Sequence, residues 1–105
     1  MTSSKPAVTL SGPLLAVTGE VDADTVIALR AQGERLIRQA SGPLTVDLSG
    51  LATAHSVVLS MLLCWQRLGQ QVQCPLTFRG GSERLISLAA LSNLQNQIPG
   101  FAPHG

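Results

Sequence analysis

Aromatic and charged side chains are both scarce in this chain of 105 residues. Aromatic residues make up 3% of it, so the core must be aliphatic, and the 45% hydrophobic content is enough to build one. Charged residues make up 12% of the chain, about half of the roughly 25% that is usual in soluble domains. A surface with so little solvating charge predicts that a partner covers part of it.

Concentrated charge and cysteine motifs are also missing. The net charge is +1 and the arginines are spread along the chain, which argues against nucleic-acid binding. Cys64 and Cys74 have neither metal spacing nor a disulfide framework, so we expect two inert, buried thiols in a reducing compartment. Together with His55 and His104 they share no ligand spacing, and neither a metal nor another cofactor is predicted.

No apolar run is long enough to be a membrane span or a secretory signal. Gly12 and Pro13 interrupt the first apolar stretch. The longest stretch, residues 57–65, is broken by Ser60 and falls short of the roughly 20 residues that a spanning helix needs. We therefore expect a cytoplasmic protein that reaches a membrane only indirectly, through a partner.

Turn residues and apolar periodicity predict one domain over residues 1–105, with a flexible N-terminus at 1–6 and an irregular tail at 98–105. Strands are predicted at 7–10, 14–18, 44–48 and 75–79, and helices at about 24–40, 56–72 and from 82 onward. The turn between the third strand and the second helix is placed at residues 49–55. This order predicts an α/β fold with a mixed sheet of four to five strands covered by helices.

The first helix has one apolar and one charged face. Asp22 or Asp24 is expected to cap it. The predicted inward positions are Val26, Leu29, Gly33, Leu36, Ile37 and Ala40. The opposite face carries Arg30, Glu34, Arg35 and Arg38, which we interpret as a solvated face rather than a binding site.

Catalytic chemistry is not predicted. His55 and Ser56 are neighbours in sequence, which rarely places an imidazole within reach of a hydroxyl, and no third group is available to orient the histidine. Asp47 is expected to accept backbone amides of the following turn. The chain is therefore predicted to be no enzyme.

Two segments resemble the core motifs of STAS domains. Residues 46–49 (VDLS) and 55–59 (HSVVL) correspond to the family's apolar-Asp-Leu-Ser strand and the helix start that follows it, and residues 15–22 (LAVTGEVD) resemble its Leu-x-Gly-Glu-Leu-Asp segment. The family includes bacterial anti-sigma-factor antagonists, sulfate-transporter tails and the MlaB-type subunit of a phospholipid ABC transporter. The resemblance implies a single STAS-like domain with helices on one face of the sheet, acting as a protein-interaction module.

The same motif implies a role for Ser56, which lies where the antagonists carry their phosphorylatable hydroxyl. His55 replaces an acidic residue and Val58 replaces a Gly of the antagonist pattern, and both departures count against regulation by a kinase. The resemblance therefore favours a cytoplasmic subunit that binds the ATPase of an ABC transporter for phospholipids, peripheral to the inner membrane and maintaining outer-membrane lipid asymmetry. The alternative is an anti-sigma-factor antagonist regulated by phosphorylation of Ser56.

The second helix is apolar around most of its circumference. The resemblance implies that Leu59, Leu62 and Leu63 point inward. A second stripe runs through Val57, Met61, Cys64 and Leu68. Two interpretations stay open: neighbouring helices bury this stripe, or its start forms a partner-binding surface with a polar border. In the second case the partner-binding residues are His55, Ser56, Val57, Ser60, Met61 and Cys64.

Overall fold

The computed structural model describes residues 5–40, 42–52 and 56–91, which form four strands and three helices. The strands are β1 (Ala7–Ser11), β2 (Leu14–Gly19), β3 (Leu44–Leu51) and β4 (Leu76–Arg79), and the helices are α1 (Val26–Gln39), α2 (Ser56–Gln71) and α3 (Glu83–Leu91). Every predicted element is present. Residues 1–4 of the predicted flexible N-terminus and the predicted tail at 98–105 lie outside the described residues.

The strands form one mixed sheet in the order β1-β2-β3-β4. β1 and β2 are antiparallel and joined by the predicted turn, with Val8 opposite Val17. β3 is parallel to both of its neighbours, so Val46 lies between Leu15 and Phe78. Parallel neighbours need a crossover connection, and α1 and α2 supply the two that this sheet requires.

Helices cover one face of the sheet, as the resemblance implied. Successive strand residues point to opposite faces, and one set is buried while the other is largely accessible. The buried set consists of Val8, Leu15, Val17, Leu44, Val46, Leu48, Leu76 and Phe78. Thr9, Thr18 and Thr77 on the other face are exposed. The strands therefore have one helix-covered face and one face that the described residues leave open.

Trp65 fixes the packing of α2 against α1. Its side chain is fully buried, and its indole Nε1 donates a hydrogen bond to the carbonyl oxygen of Arg30 in α1 at 3.1 Å. A Cβ at Gly33 would overlap the indole ring, so the glycine is what allows the two helices to approach. Apolar periodicity identified Gly33 as an inward position, but it did not identify Trp65 as the residue that fills the space.

The predicted bounds of β3 and α1 were wrong by a few residues. β3 continues to Leu51 instead of ending at Leu48, because its register against β2 shifts after Asp47 and pairing resumes beyond the irregularity. α1 begins at Val26, and Thr25, the residue before it, makes no side-chain cap hydrogen bond. The capping contact predicted for Asp22 is present one turn earlier, and Asp24 does not supply it. Asp22 organises the preceding turn, where its carboxylate accepts the backbone amide of Thr25 at 3.0 Å.

The start of α3 agrees with the prediction. Ser82 precedes the helix, and its hydroxyl accepts a hydrogen bond from the backbone amide of Leu85 at 3.1 Å. This is the contact of an N-cap residue, which satisfies one of the free amides of the first turn. Leu85 and Ala89 are buried, and Leu88 is half-buried.

Candidate functional site

The start of α2 presents two hydroxyl groups to solvent. Ser56 is the first residue of the helix and Ser60 lies one turn further along, and both are exposed. The Ser60 hydroxyl donates to the carbonyl oxygen of Ser56 at 3.4 Å, which holds it along the helix surface. His55, the other polar residue predicted here, lies outside the described residues.

The second apolar stripe of α2 is divided between core and surface. Met61 is 1% exposed and Leu68 is 6% exposed, so both belong to the core. Val57 and Cys64 are half-buried. The assignment of Met61 to an accessible partner-binding surface is therefore corrected, because α1 packs beside α2 and covers that side of the helix.

A shallow groove of about 90 Å³ runs between α1 and α2 where the two helices begin. Its lining is contributed by Val26, Ile27 and Arg30 of α1 and by Val57, Ser60, Met61 and Cys64 of α2. We call this surface the α1–α2 groove. Met61 forms part of its buried floor, while Ile27 is 69% exposed. The groove thus combines an apolar interior with a polar border, which is the composition of a protein-binding patch.

Sequence reasoning missed the contribution of α1 to this site. Ile27 lies off the inward stripe of α1 and was not singled out, and Arg30 was interpreted as part of a solvated face. The sequence did contain a signal for this contribution, because Ile27 is a large aliphatic side chain on the outer surface of an amphipathic helix. Of the predicted partner-binding residues that the structure describes, Val57, Ser60 and Cys64 meet in the α1–α2 groove, and Ser56 lies one turn before Ser60.

Asp47 has the structural role that the sequence predicted. Its carboxylate accepts the backbone amide of Ser49 at 3.2 Å, and Arg79 Nε lies 3.9 Å from the same oxygen. The hydrogen bond from the Ser49 amide, assisted by the Ser49 hydroxyl and the charge of Arg79, lowers the pKa of Asp47. A carboxylate held ionised by backbone donors is suited to fixing a turn.

The two cysteines differ in their environments. Cys74 is buried, and its thiol donates to the carbonyl oxygen of Gly42 at 2.9 Å. Burial raises the pKa of the Cys74 thiol, which keeps it protonated and unreactive. Cys64 is half-buried at the α1–α2 groove. The prediction of two buried thiols is therefore right for Cys74 and wrong for Cys64.

Neither a metal-binding cluster nor a membrane-spanning helix is found in the part of the chain that the structure describes. Within residues 5–40, 42–52 and 56–91, no three His, Cys, Asp or Glu side chains are placed to hold a metal ion. None of the helices described there combines the length and the hydropathy needed to span a bilayer.

The sheet order, the single helix layer and the exposed start of α2 define an α/β domain of the STAS type. Residues 4–100 match the family model described as Mlab, STAS domain. The chain belongs to this STAS family.

Solved structures show the same fold. The anti-sigma factor antagonist SpoIIAA in its unphosphorylated form is 17% identical and superposes with a TM-score of 0.70, over 90% of this chain and 85% of that chain. An anti-sigma factor antagonist from Mycobacterium paratuberculosis is 25% identical, with a TM-score of 0.66 over 92% of this chain and 84% of that chain. No curated protein matches the sequence.

Proposed function

We propose that the chain is a non-enzymatic interaction subunit that binds the ATPase of a phospholipid ABC transporter through the α1–α2 groove. The observation that carries this proposal is the exposed Ile27 beside the half-buried Val57 and Cys64. Large exposed aliphatic side chains that adjoin a groove are typical of protein contacts. Such a subunit would be cytoplasmic, peripheral to the inner membrane through the ATPase, and would serve the transport that maintains outer-membrane lipid asymmetry.

The choice of an ATPase as partner is supported by the family and by two residues near Ser56. The matching family model carries the description Mlab. Position 55 carries His in place of the acidic residue of the antagonists. Val58, which replaces their Gly, is fully buried, so at this position the chain gains core packing instead of the backbone freedom that glycine would give.

An anti-sigma-factor antagonist is the second candidate. Both solved structures reported above are antagonists, and the Ser56 hydroxyl is exposed at the start of α2. Fold likeness alone does not separate the two functions, because one scaffold can carry both. A protein kinase that phosphorylates Ser56, together with an anti-sigma factor that binds only the unmodified chain, would favour this candidate.

The test is to co-express the chain with the ATPase subunit of the host's phospholipid ABC transporter and, in parallel, with the host's anti-sigma factors. Complex formation is measured by size-exclusion chromatography with light scattering, and affinity by calorimetry. We expect a stable complex with the ATPase and none with an anti-sigma factor. A complex with an anti-sigma factor and none with the ATPase would contradict the proposal.

Substitution of Ser56 supplies the site-specific part of this test. A carboxylate at a helix N-terminus is favourable in the free domain, but it must lose its hydration at an apolar contact. Ser56→Glu should therefore stay folded and bind the ATPase more weakly than Ser56→Gln, its uncharged control of the same size. Equal affinities for the two variants would place Ser56 outside the contact.

A further inference from the structure

Charge is distributed unevenly between the helices and the rest of the chain. α1 and α2 together carry four of the seven basic residues but only one of the six acidic residues. The four basic residues are Arg30, Arg35, Arg38 and Arg67, and the single acidic residue is Glu34. Three of the remaining acidic residues, Glu20, Asp22 and Asp24, precede α1. The layer that forms the α1–α2 groove is therefore the basic part of the molecule.

Helical spacing brings this positive charge to the groove. Arg30 lines it directly, and Arg38 follows Ile27 at eleven positions, about three turns, which places it on the same stripe of α1. On α2, Arg67 follows Ser60 and Cys64 at seven and three positions, which places it on their exposed stripe. Arg30, Arg38 and Arg67 are all exposed. The groove is thus apolar where the helices begin and basic one to three turns further along.

The Arg30 side chain is able to exchange its present contact for another. Its Nε lies 3.8 Å from Glu34 Oε2, and the two side chains are 47% and 33% exposed. An ion pair at this separation and exposure stabilises a helix only weakly. The guanidinium has four further N–H donors on its terminal nitrogens, which a carboxylate from outside the domain can engage.

The shape of the groove favours a helix as its occupant. α1 follows β2 and α2 follows β3, and these two strands are parallel. Both helices therefore run back in the same direction, side by side. The channel between two such helices accepts a third helix, whose side chains fill the space between the existing rows. An apolar side chain would meet Ile27, and carboxylates one or more turns away would meet Arg30 and Arg67.

We propose that the occupant of the α1–α2 groove is an acidic amphipathic helix of the partner protein, a step that rests on the proposed function and specifies the chemistry of its partner. The occupant sets its apolar side chains against Ile27 and Val57 and its carboxylates against Arg30 and Arg67. Glu34 opposes it, because this carboxylate competes for Arg30 and repels the incoming charge.

An anionic lipid surface is the other negatively charged occupant to be considered. Surfaces that bind anionic membranes carry clusters of roughly four to eight basic residues. Three arginines, Arg30, Arg38 and Arg67, lie along this groove, and the carboxylate of Glu34 lies beside Arg30. The groove is also concave between two helices instead of flat. The observations therefore favour a protein segment, and lipid vesicles become a control arm of the test.

Removal of positive and of negative charge at the groove, in separate variants, supplies the sharpest test. Arg30→Gln combined with Arg67→Gln should weaken ATPase binding roughly three- to tenfold and make it less dependent on salt concentration. Glu34→Gln should strengthen binding. Arg79→Gln combined with Arg84→Gln, which removes the same charge outside α1 and α2, should leave the affinity unchanged. Affinities are measured by calorimetry at two salt concentrations.

Alkylation of Cys64 reports occupancy of the groove directly. Its thiol lines the groove while Cys74 is buried and protonated, so a maleimide reagent should label Cys64 in the free chain and label it more slowly in the complex. Vesicles containing an anionic phospholipid should give no protection. Protection by vesicles that is lost in the double arginine variant would overturn the proposal in favour of a membrane.

The outcomes separate this inference from the proposed function. ATPase binding that is unaffected by all three sets of substitutions and leaves Cys64 reactive would overturn the inference and leave the proposed function standing. If the chain bound an anti-sigma factor and not the ATPase, and Arg30→Gln weakened this binding while Glu34→Gln strengthened it, the proposed function would be overturned and the inference would stand. Weaker binding of Glu34→Gln and tighter binding of Arg30→Gln would identify a basic occupant and overturn the inference. Absence of any complex would contradict both.

Discussion

Asp47 shows how a single side chain secures the irregular end of a central strand. The register of β3 against β2 shifts just beyond Asp47. The Asp47 carboxylate accepts a hydrogen bond from the amide of Ser49, two residues further along the shifted segment. Gly80 lies so close that a Cβ there would stand 2.8 Å from the Asp47 carboxylate. The residue therefore contributes to the shape of the strand that leads toward the start of α2.

The pH dependence of stability should reveal this role. The pKa of Asp47 is lowered in the folded chain, so its contribution is present above the unfolded value of about 3.9 and is lost as the pH falls through the folded value below it. Asp47→Asn should reduce the free energy of unfolding at pH 7 and have a smaller effect at pH 3, as measured by urea denaturation.

Arg79→Gln is the companion variant, because the hydrogen bond from the Ser49 amide does most to lower the pKa of Asp47 and the charge of Arg79 does least. It should keep most of the pH dependence. An Asp47→Asn variant that is destabilised equally at both pH values would show that the ionised carboxylate has no special partner in the fold.

Met61 and Ile27 mark what sequence can and cannot establish about the site. Periodicity placed Met61 on an apolar stripe, but it could not decide between core and surface, since that depends on how closely a neighbouring helix approaches. The approach of α1 is set by Trp65 against Gly33, a tertiary contact with no periodic signal. Ile27 was overlooked because its significance comes from the residues of α2 opposite it.

The helix α2 ends in a geometry that its sequence does not favour. Gln73 adopts a left-handed backbone with φ of 59°, and the amide of Cys74 donates to the carbonyl oxygen of Gly69 at 2.7 Å. This is the Schellman arrangement, in which glycine usually occupies the left-handed position. The helix stop is therefore imposed by the connection to β4 and not by the local residue.

Gln73→Gly should accordingly stabilise the domain by about 1 kcal/mol, since the left-handed conformation costs a side-chain-bearing residue roughly this amount. Gln70→Gly, in the regular part of α2, should instead destabilise it by about 1 kcal/mol. Unfolding followed by the fluorescence of the single tryptophan compares the two. A loss of stability in both variants would contradict the strain assigned to Gln73.

The elements themselves were largely predictable, and their ends were less so. Strands and helices follow from apolar periodicity bounded by Gly and Pro, and the Ser82 cap was recognised from its position before an apolar helix. The last three residues of β3 were not predicted to be strand, because their place in the sheet depends on pairing with β2 after a register shift. The start of α1 was misplaced because Asp22 uses its carboxylate in the turn before the helix.

The fold of the domain identifies the family without identifying the partner. Four strands and one layer of helices, counted over the described residues, are shared with anti-sigma-factor antagonists, while the matching family model is described as Mlab. Function in such a scaffold depends on what its surface binds. The proposed function therefore depends on docking of the partner at the α1–α2 groove.

Two exposed isoleucines allow this claim to be tested with matched variants. Ile27 on α1 is 69% exposed and Ile86 on α3 is 38% exposed. Glutamine favours helices and introduces no charge, so Ile27→Gln and Ile86→Gln should both retain the unfolding midpoint of the parent chain. The two changes differ in the helix that carries them.

The decisive measurement is the affinity of these two variants for the ATPase subunit by calorimetry. We predict that Ile27→Gln weakens binding by about tenfold or more, the loss expected when an apolar anchor is removed from the centre of an interface, while Ile86→Gln binds like the parent chain. An ATPase complex that tolerates Ile27→Gln, or that is lost only with Ile86→Gln, would contradict docking at the α1–α2 groove.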